Sequence, residues 1–158
     1  MRSMLLAAAL IGGCSLAACG KPADASKTAA AITETTGAGA SPQCKLFTPR
    51  EIAAYIGEPV GAGQDSAGGC QWLAKDGSGD VIVAVVPAEN HEPPKSSSGY
   101  QALAAPGTEG FTSPYLDGWL AGAIVGDQAL RVSVAGQGAS RATAAALLTD
   151  SAKRLPAG

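Results

Sequence analysis

The chain has 158 residues, with 13 acidic against 11 basic side chains, a formal net charge of −2, 4 cysteines and 1 histidine. That length gives one domain rather than two. The slight acidic excess argues against nucleic acid or an anionic lipid surface as partner, and past the N-terminus no apolar run approaches the ~18–20 residues of a membrane span.

The chain opens on Arg2 and an apolar run from Met4 to Ala18, interrupted only by Gly12, Gly13, Cys14 and Ser15. A charged start, a short apolar core and small residues at its end predict a secretory signal over residues 1–18. Cys19 directly after Leu16-Ala17-Ala18 resembles a bacterial lipobox, in which the cysteine thiol is diacylated and becomes the new N-terminus. The resemblance implies lipidation at Cys19 and membrane anchoring through two acyl chains, as stable attachment requires. It places the protein in the bacterial cell envelope, facing the periplasm or the exterior. Gly20, rather than Asp, after the lipidated cysteine implies the outer membrane in a host that has two. The alternatives are an ordinary signal cut near Ala18, or cleavage before Cys14, which would leave a very short apolar core. Loss of Arg2 takes the charge from −2 to about −3.

The cysteines then sort themselves. Cys14 leaves with the signal and Cys19 carries lipid. Cys44 and Cys70 remain, and a pair in an oxidising compartment predicts a disulfide. A loop of that length constrains the unfolded chain by roughly 3.5 kcal/mol in the entropy model. The alternative, a metal site, would need two further ligands, and the only histidine is His91.

Residues 19–42 are rich in Ala, Thr, Gly and Ser, with Ile32 the only large apolar side chain. They bury too little to fold and predict a disordered tether reaching roughly 25–30 Å. The folded domain is expected over residues 43–158. Thr48-Pro49-Arg50-Glu51 has the form of a capping box, with Pro at the first helical position. Ile52, Tyr55 and Ile56 share one face, and Gly57 supplies a left-handed stop. Cys70 to Ala74 predicts a strand, Lys75 to Gly79 a turn, and the Val/Ile-rich Asp80 to Val86 its partner. That second strand needs both faces largely buried, or one face covered by a helix.

Pro87 to Ser98 is a polar excursion bearing Glu89, His91 and Glu92. A short helical piece is expected at Tyr100 to Leu103, ended by Pro106-Gly107. Phe111 and Tyr115 then lead to a turn at Asp117-Gly118. Trp119 to Val125 and Gln128 to Ala135 predict a second hairpin around Gly126-Asp127. Ser140 caps a last helix through about Leu155, with Ala144, Leu148, Ala152 and Leu155 on one stripe. The expected fold is α+β: an antiparallel sheet of two hairpins, with a short N-terminal helix and a longer C-terminal helix packed on it.

Pro42-x-Cys44-x-Leu46-x-Thr48-Pro49-x-Glu51-Ile52 with Ile56-Gly57, then Cys70-x-Trp72, then Gly126-Asp127-x-Ala129, resembles the small cysteine-paired envelope lipoproteins of unknown function common in actinobacteria. The likeness spans most of Pro42 to Leu155. Gln43 departs from it, standing where that group often has an acidic residue. The resemblance implies lipid anchoring, a disulfide and an α+β sheet. It implies no chemistry.

No catalytic constellation emerges. Glu89, His91 and Glu92 have metal-ligand character, but no second histidine or paired cysteine joins them, and a solvated proline-bounded loop accounts for them. A hydrolase would need His91 as base, and no Gly-x-Ser-x-Gly elbow exists. Gly136-Gln137-Gly138 before the last helix lacks the third glycine and the following strand of a nucleotide site. The expectation is a module without catalysis, cofactor or metal, joined to the membrane at Cys19 and to a protein partner of the envelope. Tyr100, Phe111 and Tyr115 are the expected contacts if the Pro87–Tyr115 region is a loop; capping the sheet as core is the alternative. An inhibitor or immunity-type role is the first reading of such a module, and an assembly accessory the second.

Overall fold

The strand-forming middle of the chain pairs into a single sheet. The structure, a computed structural model, describes residues 41–66 and 68–156. The expected signal over residues 1–18, Cys19 and the expected tether up to residue 40 lie outside the described residues. The strands are β1 (Gln64–Ser66), β2 (Gly69–Leu73), β3 (Asp80–Pro87), β4 (Gln101–Leu103), β5 (Thr108–Tyr115), β6 (Gly118–Val125) and β7 (Gln128–Ala135). Their order across the sheet is β1-β2-β3-β7-β6-β5-β4, and every neighbouring pair is antiparallel. With the helices α1 (Pro49–Ile56) and α2 (Arg141–Arg154), the fold is α+β.

Each helix is set by its cap. The Thr48 hydroxyl accepts from the Glu51 amide, and the Glu51 carboxylate accepts from the Thr48 N–H at 2.7 Å. These bonds satisfy two of the donors that the first turn of α1 leaves over, and Gly57 closes the helix at φ 76°. The Ser140 hydroxyl accepts from the Thr143 amide to start α2, and Lys153 and Arg154 fall at its negative end.

The sheet is half-covered, and β3 shows how. Its Val81 and Val83 are buried, while Ile82, Ala84 and Val86, which point to the other face, are only half-buried. The first set lies with Cys70, Trp72, Val132, Val134 and Ala121 on the face that Leu147 and Leu148 of α2 and Ile52 and Ile56 of α1 cover. Burying that set supplies the hydrophobic driving force, at roughly 25 cal/mol per Å². The second set lies on the face turned away from α1 and α2, where the segment between β3 and β4 packs at the Phe111 end.

One expectation for the middle region is corrected. Gln101–Leu103 is not helical but an edge strand, paired with Gly110–Thr112 of β5. Three residues before Pro106 are too few to nucleate a helix, whereas the free edge of β5 offers ladder bonds at once. Phe111 and Tyr115 belong to β5, which decides between the loop and the sheet that the sequence left open. The strand hid from sequence patterning because Phe111, Thr112 and Ser113 are all buried, so apolar and polar residues do not alternate. Pro114 lies beyond the stretch that β4 pairs, at the sheet edge, where proline is tolerated. The sheet is thus larger than the two hairpins read from the sequence.

Candidate functional site

The face turned away from α1 and α2 is ordered by the strand register into rows. The first row across β2, β3, β7, β6 and β5 is Leu73, Asp80, Ala135, Gly118 and Tyr115. The second is Gln71, Ile82, Ser133, Leu120 and Ser113, and the third is Gly69, Ala84, Arg131, Gly122 and Phe111. The exposed large hydrophobic side chains are Leu73 at 45%, Tyr115 at 50% and Leu116 at 88%. Leu73 and Tyr115 stand at opposite ends of the first row, and Leu116 caps the adjoining hairpin turn. Tyr115 and Leu116 adjoin at the β5–β6 turn, while Leu73 stands alone about 19 Å away across the row.

Leu116 is held at φ 51°, the left-handed region that costs an L side chain about 1–2 kcal/mol and that glycine would occupy freely. A bulky, solvent-facing residue at a strained turn contributes little to folding.

The aromatic trio of the sequence reading divides. Phe111 is buried, its ring lying over Gly122, where a Cβ would come within 2.7 Å of the ring. Tyr100 is half-buried and stacks on Phe111 at 6.0 Å between centroids. Tyr115 alone remains open to solvent. Phe111 is therefore core, one of the two places the sequence left open for it. The reason is the crossover from β3 to β4, which turns back over this end of the sheet and carries His91 and Tyr100 onto the ring.

His91 is corrected too. It is 9% exposed, not solvated, and its ring tilts against Phe111 at 5.6 Å. Its Nε2 lies 3.0 Å from the Glu109 carbonyl oxygen, so Nε2–H donates, while Nδ1 is buried without a partner. Among the described residues no group of three His, Cys, Asp or Glu could hold a metal ion.

The polar members of the face were missed by sequence reasoning. Arg131 sits in the third row between Ala84 and Gly122. Its Nε is buried without a hydrogen-bond partner, and neither ion pair among the described residues includes it. Asp80, in the first row, accepts from Gln71 Nε2 at 2.6 Å. The signal was present as the alternation of Arg131 and Ser133 with buried Leu130, Val132 and Val134.

On the covered face, Cys44 and Cys70 are joined in a disulfide, with Cα atoms 4.9 Å apart. It ties the turn before α1 to β2, beside buried Trp72. The two helices meet through polar contacts. Tyr55 donates to Asp150, and Arg154 pairs with Glu51 at 2.9 Å while lying over the Phe47 ring at 4.3 Å. Partial burial, then the Asp150 carboxylate, push the Tyr55 phenol up to about 12. The bonds from Tyr55 and Lys153 hold Asp150 below the usual carboxylate range. These groups fasten helix to helix and line no cleft. At the far edge, Arg141 lies 4.8 Å over the Trp119 ring and donates to Gln101 Oε1 at 2.7 Å, so α2 also grips β4.

A depression between the β6–β7 turn and the end of α2 offers one carboxylate, Asp127, and no nucleophile. Comparison with protein-family models, with curated proteins and with solved structures finds no match to this chain.

Proposed function

We propose that the protein is a lipid-anchored binding module of the bacterial cell envelope, without catalysis, that meets a protein partner on the open face of its sheet and the adjoining hairpin turn. The observation that carries the reading is the exposure of Tyr115 and Leu116 side by side at the β5–β6 turn, on the sheet face turned away from α1 and α2. The lipobox at Cys19 and the cysteine pair, features shared with small envelope lipoproteins, support the location. The tether keeps the domain near the membrane, and the resulting effective concentration multiplies a modest affinity. An inhibitor or immunity-type role against an envelope target fits a module built this way. Tyr115 and Leu116 are its anchors, the turn giving up backbone comfort to present a leucine to solvent.

The test is crosslinked capture of the tagged protein from native membranes, compared with a Leu116→Gly variant. Glycine relieves the strained turn, so the variant is expected to melt no lower than the parent while capture of the partner falls severalfold. Unchanged capture by the variant would remove the turn from the contact surface.

A further inference from the structure

We infer that the depression where the β6–β7 turn meets the end of α2 binds a lysine-like group, an aliphatic stem ending in an ammonium. It lies at the opposite end of β6 from the Tyr115–Leu116 turn, about 23 Å away along a strand of 8 residues, and stands independently of the contact proposed there. Its volume is about 710 Å³, the size of a small-ligand pocket.

One wall is apolar. Val125 of β6 and Ala152, Leu155 and Pro156 at the end of α2 line it, and the first three also pack against the core, which fixes them in place. Asp127 supplies a carboxylate. Gly126, at φ 64°, makes the tight turn that brings it there. Asp127 belongs to neither ion pair among the described residues.

The helix adds a second negative element. α2 runs for 14 residues, and its C-terminal end carries the partial negative charge of the helix dipole. The Ser151 carbonyl accepts from the Leu155 N–H at 3.1 Å. The next carbonyl, that of Ala152, would need the amide hydrogen of residue 156, which is proline and has none. A residue lining the depression therefore holds an acceptor that has lost its helical donor. The cations of the last turn are committed elsewhere: Lys153 to Asp150 at 2.9 Å, and Arg154 to Glu51 at 2.9 Å and to the Leu46 carbonyl at 2.6 Å.

A carboxylate and a helix C-terminus select a cation, and the apolar wall beside them selects one that carries methylene groups. A bare metal ion would leave that wall unmatched, and among the described residues no group of three His, Cys, Asp or Glu could hold one. An ammonium on a four-carbon stem meets both demands, with the head on Asp127 and the Ala152 carbonyl and the stem along Val125 and Leu155.

The test titrates the full chain, isotope-labelled in detergent, with Nα-acetyl-lysine methylamide and follows the amide chemical shifts. Shifts are expected at Gly126, Asp127, Gln128 and Ala152, with a Kd on the order of 1 mM for a ligand of this size. Nα-acetyl-norleucine methylamide, which keeps the stem and lacks the ammonium, should bind about tenfold more weakly. Asp127→Asn should raise the Kd for the lysine amide about tenfold as well. Pro156→Ala returns a donor to the Ala152 carbonyl and should raise it about twofold. Cadaverine separates the sources of the group: weaker binding than the lysine amide assigns the site to a peptide side chain, and equal or tighter binding to a free amine, ammonium recognition standing in both. No shift at lysine amide concentrations far above that Kd overturns the inference. Equal binding of the norleucine amide, or of the lysine amide to the Asp127→Asn protein, overturns it too, since the depression would then read only the stem.

Discussion

Removing the disulfide tests the architecture most directly. Cys44 and Cys70 are 26 residues apart, and closing a loop of that length costs the unfolded chain about 3.5 kcal/mol. Cys70 is buried on the helix-covered face, so a Cys44→Ala/Cys70→Ala variant also loses packing around a small side chain, up to about 1 kcal/mol more. A loss of about 4 kcal/mol is a large part of the 5–15 kcal/mol that holds an ordinary domain together. With a urea m-value on the order of 1.5 kcal/mol/M, the midpoint should fall by about 2–3 M. Trp72 reports the transition, being buried on the same strand as Cys70; a Trp119→Phe background removes the other of the 2 tryptophans. Reduction of the parent with dithiothreitol should reproduce most of the loss. A shift below about 1 kcal/mol in both experiments would refute the argument, since neither loop entropy nor the burial of Cys70 could then be acting.

Three further outcomes follow from the open face and the helix seam. Gly122→Ala should cost about 1–3 kcal/mol, because its Cβ would meet the buried Phe111 ring at 2.7 Å; a thermal melt measures it, and Phe111→Leu in the same chain should recover part. His91→Ala should lower stability by about 1–2 kcal/mol through the cavity over Phe111 and the lost bond to the Glu109 carbonyl; an unchanged melting temperature would show that His91 does not hold the crossover down. The Tyr55 phenol ionises at about 12 instead of the usual 10. Its stabilisation is therefore complete below pH 10 and is lost as pH rises toward 12, while that of Asp150, lowered from 3.8, is lost only as pH falls below about 4. Tyr55→Phe should accordingly flatten the alkaline fall in stability and leave neutral pH as the place to measure the lost hydrogen bond.

Local chemistry was legible wherever a residue's job is done by its near neighbours. Thr48, Pro49 and Glu51 start a helix by bonds that span three residues, and Ser140 starts another in the same way. The Gln128–Ala135 alternation and the apolar Asp80–Pro87 segment declare strands because period two needs only one partner layer. The pairing of Cys44 with Cys70 followed from counting cysteines once Cys14 and Cys19 were assigned to an expected signal and its lipidation site.

The remainder depended on contacts between distant segments. Nothing near Gln101–Leu103 says strand; the edge of β5 decides it. His91 reads as a solvated loop residue until the crossover sets it on Phe111. Phe111 and Tyr115, four residues apart in one strand, part company because the crossover and Gly122 enclose the first, while the hairpin turn leaves the second in water. Above all, the sequence marks two faces of the sheet but does not say which one the helices take. That choice is made by packing, when α1 and α2 settle over Trp72, Val83 and Val132. It leaves Arg131, Leu120 and Tyr115 on the other side, and which side chains face outward is a property of the assembled layers, not of any local stretch of chain.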